Sequence, residues 1–150
     1  MNVIAPVAIV ERELVFRAVS VSLGAISESI TGIREASNCE VGEGITKQLD
    51  NLDIQCELEV AKAFVKDLEE RKPQSRAVCK ALDNLNQVTT ELGNAVRGLQ
   101  KSVVEYYDMN RIGKWWYGSE SMTSTLAGIE RLFNKMRGRF HLLLRLVNTM

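Results

Sequence analysis

The feature that most constrains this chain is the spacing of its apolar residues. Through four long segments they recur every three or four positions, the repeat of a helix that hides one stripe. In the first segment Val15, Val19, Leu23, Ile26, Ile30 and Ile33 mark a helix from about residue 7 to residue 36. The second carries Ile45, Leu49, Leu52, Cys56, Val60 and Phe64, with another row of Ile54, Leu58, Ala61, Val65 and Leu68 beside it. So broad an apolar face predicts contact with more than one neighbour. The third reads Val78, Leu82, Leu85, Val88 or Thr89, Leu92, Ala95, Leu99, Val103 and Tyr106, and should end near Asp108. The fourth is Leu126, Ile129, Leu132 with Phe133, Met136, Phe140, Leu143 with Leu144, and Val147. Strand-like alternation is sustained nowhere.

The punctuation agrees. Only two prolines, Pro6 and Pro73, occur in 150 residues, which suits long helices. "SNCEVGEG", with Gly42 and Gly44, reads as the first corner. In "ERKPQSRAV", Pro73 stops one helix and Ser75 is placed to cap the next. Ser119 or Ser121 caps the last. Gly93 and Gly98 weaken the third helix or let a neighbour come close. The expected fold is all-α, an antiparallel four-helix bundle over residues 1–150, with room for a short extra N-terminal helix.

A chain of 150 residues buries most of its apolar surface in one domain without staples. Cys39, Cys56 and Cys79 are odd in number and far apart, which points to reduced thiols in a cytosol. The opening "MNVIAPVAIV" has no basic start and meets Glu11 at once, so it does not read as a signal peptide. No uninterrupted apolar run approaches the ~20 residues of a membrane span. A soluble, cytoplasmic chain is expected.

The net charge of zero hides a polarity. Residues 38–70 hold nine acids against three lysines, while residues 111–150 hold seven Lys and Arg against Glu120 and Glu130. The two segments either pair internally or offer the basic one to an anionic partner.

Catalytic chemistry finds few candidates. The one histidine, His141, sits between Phe140 and Leu142 and reads as a surface or half-buried residue. Asp50, Asp53 and Glu57 share helical spacing, but without a Glu-x-x-His motif a metal centre is not indicated, and a solvated stripe is. No strand precedes a glycine-rich loop, so no phosphate or nucleotide cofactor is expected. The reading is a non-enzyme with no cofactor. Arg131, Lys135, Arg137, Arg139 and Arg145 gather on the last helix, yet the neutral total and the lack of a helix-turn-helix corner argue against nucleic acid.

The remaining feature is "RIGKWWYGS". Adjacent side chains leave a turn in different directions, so one tryptophan plugs the bundle end and the other stays outside. An outward indole beside Lys114 and Arg111 suits a partner surface or a membrane interface.

The block "KWWYGSESMTSTLAGIERLFNKMRGRFHLLL" resembles the end of the HeLo and HeLo-like domains of fungal NLR-type and prion-linked proteins. Lys114, Trp116, Leu126, Ile129, Glu130, Arg131 and Leu132 stand at the places of that pattern. The front half, with "VSVSLGAISESI" followed by an acidic amphipathic helix, is similar too. These domains are related in plan to the N-terminal bundle of the necroptosis executioner MLKL and to plant immune-receptor coiled-coil domains. The resemblance implies the N-terminal domain of a larger receptor, working in programmed cell death, heterokaryon incompatibility or innate immunity. Such a domain self-associates on an upstream receptor or amyloid-type trigger, moves from cytoplasm to plasma membrane and permeabilises it. Val3, Ile4, Val7, Ile9 and Val10 would then insert, and Glu11 and Glu13 would require more of the first helix to follow. Lys114, Trp115, Lys135, Arg137, Arg139 and Arg145 would meet anionic lipid or a partner, each cation contributing roughly 1 kcal/mol at such a surface. Trp116 takes the family's tryptophan position and would be the buried member of the pair. The alternative is a non-enzymatic adaptor that binds a protein through the aromatic corner and the last helix.

Overall fold

The computed structural model describes residues 4–36, 40–73, 75–108 and 120–148, with side chains described over 13–35, 44–73, 75–105 and 123–148. The fold is all-α. Among the described residues five helices follow one another: α1 Ile4–Ala36, α2 Glu40–Asn51, α3 Ile54–Arg71, α4 Arg76–Asp108 and α5 Glu120–Asn148. No strand occurs among the described residues.

The fifth helix arises where the sequence pattern predicts one continuous segment. In a straight helix, at about 100° per residue, the row Ile45, Leu49, Leu52 and the row Ile54, Leu58, Ala61, Val65, Leu68 would point to nearly opposite sides. A single bundle core cannot receive both. The chain resolves this by breaking at Asp53, whose φ of 60° and ψ of 30° are left-handed. Among residues with a side chain, aspartate is one of the few that tolerate this region. The Leu52 N–H still donates to the Gln48 carbonyl at 3.2 Å, the Asp53 N–H turns back to Asp50 at 3.0 Å, and the Glu57 N–H restarts the ladder on Asp53 at 3.2 Å. The result places Ile45 and Leu49 in the same core as the whole α3 row. Cys56 and Val60, the continuation of the α2 row, are left outside.

The other corners follow the sequence more closely. The Val78 N–H donates to Ser75 Oγ at 3.4 Å, the expected cap of α4. Lys72 closes α3 in a left-handed conformation, its N–H on the Glu69 carbonyl, directly before buried Pro73. Gly42 and Gly44 lie within α2 and do not form the corner expected of them. No separate short N-terminal helix appears: Ile4, Val7, Ile9 and Val10 are the first turns of α1 itself. Pro6 is tolerated there because first-turn N–H groups have no helical acceptor.

Side-chain contacts fix the directions. α1 runs against α2 and α3, since Ser27 donates to Gln55 at 3.1 Å and Arg34 pairs with Asp50. α1 and α4 run the same way: Ser22 meets Thr90 at 3.4 Å, Ile26 lies against Gly93, and Gln100 crosses Gly32. This is the most extensive contact among the described helices, and its small residues let the two backbones approach. The expectation that neighbours are antiparallel therefore holds for α1 with α2 and α3, but not for α1 with α4. α5 parallels α3, with Arg137 at Glu57 and Phe140 on Phe64, and packs chiefly on α4.

All five helices feed one core. Phe16, Leu23, Ile26, Leu58, Leu85, Leu92 and Phe133 are at its centre. Thr89, fully buried, returns its hydroxyl to the Asn86 carbonyl at 3.0 Å and so adds no unpaired polar group.

Candidate functional site

Val3, Lys114, Trp115, Trp116 and the expected cap Ser119 lie outside the described residues, as do the side chains of Ile4, Val7, Ile9 and Val10; Ser121, the other expected cap, falls inside α5. The site readings that can be located are those on α5 and on the body of α1.

The basic residues of α5 divide by helix face. Its buried stripe is Leu126, Ile129, Phe133, Met136, Phe140, Leu143 and Val147. Arg137 and Arg139 flank that stripe and are drawn back to the bundle. The Arg137 guanidinium reaches Glu57 of α3 at 3.5 Å and stands 5.7 Å from the Phe133 ring centroid. Arg139 spans to α4 and donates to the Asn84 carbonyl at 3.1 Å. Both expected lipid contacts thus have protein partners. The internal pairing foreseen between acidic and basic segments exists at this point, through Arg137. Arg131, Lys135 and Arg145 face outward on the opposite side, with exposed His141, Leu142 and Gly138 among them. His141 touches the edge of the Phe140 ring, with centroids 6.3 Å apart.

The carboxylates that share helical spacing are separated by the break at Asp53. Asp50 turns to Arg34, Asp53 occupies the break and Glu57 turns to Arg137. No group of three or more metal-ligating side chains converges among the described residues. Cys56, on the exposed side of α3, has its thiol pushed up by its hydrogen bond to Asp53 and by the negative charge of Asp53, Glu59 and Glu57. Such a thiol is a poor nucleophile at neutral pH.

An open cleft of about 350 Å³ lies where the α2–α3 break faces the start of α5, lined by Gln48, Leu52, Leu126 and Glu130 among others. Its mixed lining carries no converging set of titratable groups.

α1 holds the feature the sequence reading missed. Glu13–Glu35 has a mean hydropathy of 1.3 over its most apolar window and is long enough to cross a bilayer. A search for an uninterrupted apolar run overlooks it because Arg17 and Glu28 divide the segment. A third of the window is buried, as in a helix that hides one stripe, while Leu14 and Val21 stand 55% and 65% exposed on its outer side.

Comparison with models of known protein families, with curated proteins and with solved structures finds no match.

Proposed function

We propose that this protein is a non-enzymatic signalling domain of the cell-death or innate-immunity type that oligomerises and acts at membranes. Its five helices work as a four-column bundle in which α2 and α3 share one column. The observation that carries the reading is α1, a 33-residue helix whose body is long and apolar enough to enter a bilayer and whose outer face presents Leu14 and Val21. Val3, Ile4, Val7, Ile9 and Val10 lead that helix into the lipid. Arg131, Lys135 and Arg145 are the α5 cations that stay exposed to meet an anionic partner. The domain waits in the cytoplasm and moves to the plasma membrane when an upstream receptor or amyloid-type trigger gathers several copies.

Dye release from phosphatidylserine vesicles tests this. The parent protein should empty such vesicles when clustered. Deletion of residues 2–9 should abolish release while leaving the helical circular-dichroism signal and melting nearly intact, because the regular apolar stripe of the sequence begins near Leu14. Inert behaviour even when the domain is clustered on a fused oligomeric carrier refutes the membrane role. It would leave the adaptor reading, which exposed Leu142 within the basic face of α5 favours.

A further inference from the structure

The outward faces of α3 and α5 share one plan with opposite charge. Along α3 and the Asp53 break that precedes it, Asp53, Val60 and Asp67 follow at intervals of seven residues, and all three are exposed, Val60 by 60%. On α5, Arg131, Gly138 and Arg145 follow at the same intervals and are likewise exposed. In each case two like charges stand about 21 Å apart along the helix, with an uncharged site midway. Glu59 and Glu70 strengthen the acidic face, and Lys135 the basic one. The midpoints also fit in shape. Val60 projects from its helix, whereas a Cβ at Gly138 would meet no atom within 4 Å, so that helix carries a notch beside Leu142. Lys62, Lys66 and Arg71 on α3 and Glu130 on α5 run against the pattern, and antiparallel docking sets Lys66 and Arg71 at the same end as Glu130.

We propose that α3 of one copy docks on α5 of a second copy of this chain, with Val60 seated at Gly138 and carboxylates facing guanidinium groups at both ends. The inference rests on the oligomerising reading above and names the surface that oligomerises. Charge disfavours the like-on-like contacts, since α3 on α3 opposes aspartates and α5 on α5 opposes arginines. If both α3–α5 pairs form at once the result is a reciprocal two-fold dimer; if one pair forms per contact it is head-to-tail, and every copy added leaves one acidic and one basic face free. Such an interface closes into a ring or runs on as a filament. It commits the α5 face to a protein partner and leaves membrane contact to α1.

Charge reversal tests the pairing without lipid. Glu59→Lys with Asp67→Lys makes both faces basic, and Arg131→Glu with Arg145→Glu makes both acidic. The parent protein should gain mass with concentration in light scattering at low salt and lose that gain at about 1 M salt, where screening acts over ~3 Å. Each reversed variant, checked for parental helicity and melting, should associate at least tenfold more weakly. Mixing the two should restore assembly, because each basic face then meets an acidic one. Parental association in either variant, no recovery on mixing, or a parent that stays monomeric overturns the proposal. A monomeric parent that empties vesicles removes this interface alone. A parent that assembles as described but spares vesicles removes the membrane role alone.

Discussion

Replacing Asp53 probes the break that separates α2 from α3. At φ 60° and ψ 30°, a residue with a Cβ pays a steric cost of roughly 1–2 kcal/mol that glycine does not, and aspartate pays the lower end. Glycine brings its own penalty of about 0.5–1 kcal/mol through the freedom it gains in the unfolded chain. Asp53→Gly should therefore be neutral or slightly stabilising. Asp53→Ala should cost about 1 kcal/mol, and Asp53→Val more, because β-branched residues fit this region worst. For a chain of this length, about 1 kcal/mol corresponds to roughly 2–4 °C in Tm. Urea unfolding of the three variants, with hydrogen exchange at residues 54–56, measures both stability and the integrity of the break. Those amides begin α3 and have no acceptor one turn back, so they should exchange fast in every variant. An alanine variant as stable as the glycine one, with fast exchange retained, refutes the argument that left-handed geometry at this residue limits stability. Protection at residues 54–56 in the alanine variant would mean that the helix had straightened, taking Ile45 and Leu49 out of the core.

Three further outcomes follow from other parts of the molecule. Gly98→Ala and Gly128→Ala should each stabilise by up to about 1 kcal/mol in thermal melts, since both lie within helices and an added Cβ meets nothing within 4 Å. Gly32→Ala should gain less, because Gln100 occupies that space and must move, and Gln100→Ala should restore the gain. Phe140→Ala should cost about 3–5 kcal/mol in urea unfolding, as Phe140 is buried and stacks on Phe64 with centroids 5.5 Å apart. Cys56 should be alkylated more slowly than an ordinary exposed thiol at pH 8, and Asp53→Gly should speed the reaction by removing the hydrogen bond and charge that disfavour the thiolate.

Helical periodicity carried the all-α fold and most of its core, because a stripe at intervals of three and four has one geometric meaning. Most positions of the stripes named for the first, third and last helices are buried, between Val19 and Ile33, Val78 and Val103, and Leu126 and Val147, while Ala95, Leu132 and Leu144 are half-buried. The two rows of the second segment held the clue to the fifth helix. Rows nearly opposite on a helix cannot share one core, yet periodicity alone permits either two neighbours or a break. No glycine or proline marks residues 45–71, so only the backbone could decide, and it placed the turn on an aspartate. The α5 cations show the complementary limit. Sequence spacing separates Arg131, Lys135 and Arg145 from Arg137 and Arg139 by helix face. It cannot show that the second pair finds Glu57 and the Asn84 carbonyl on other helices. Those contacts depend on α5 lying parallel to α3 and beside α4, a matter of packing order that no single stripe encodes. A charge next to the buried edge of a helix is drawn inward to whatever acceptor the neighbour offers. One on the far side keeps its charge for a partner, which is why the outer set on α5 is the one to which binding should be assigned.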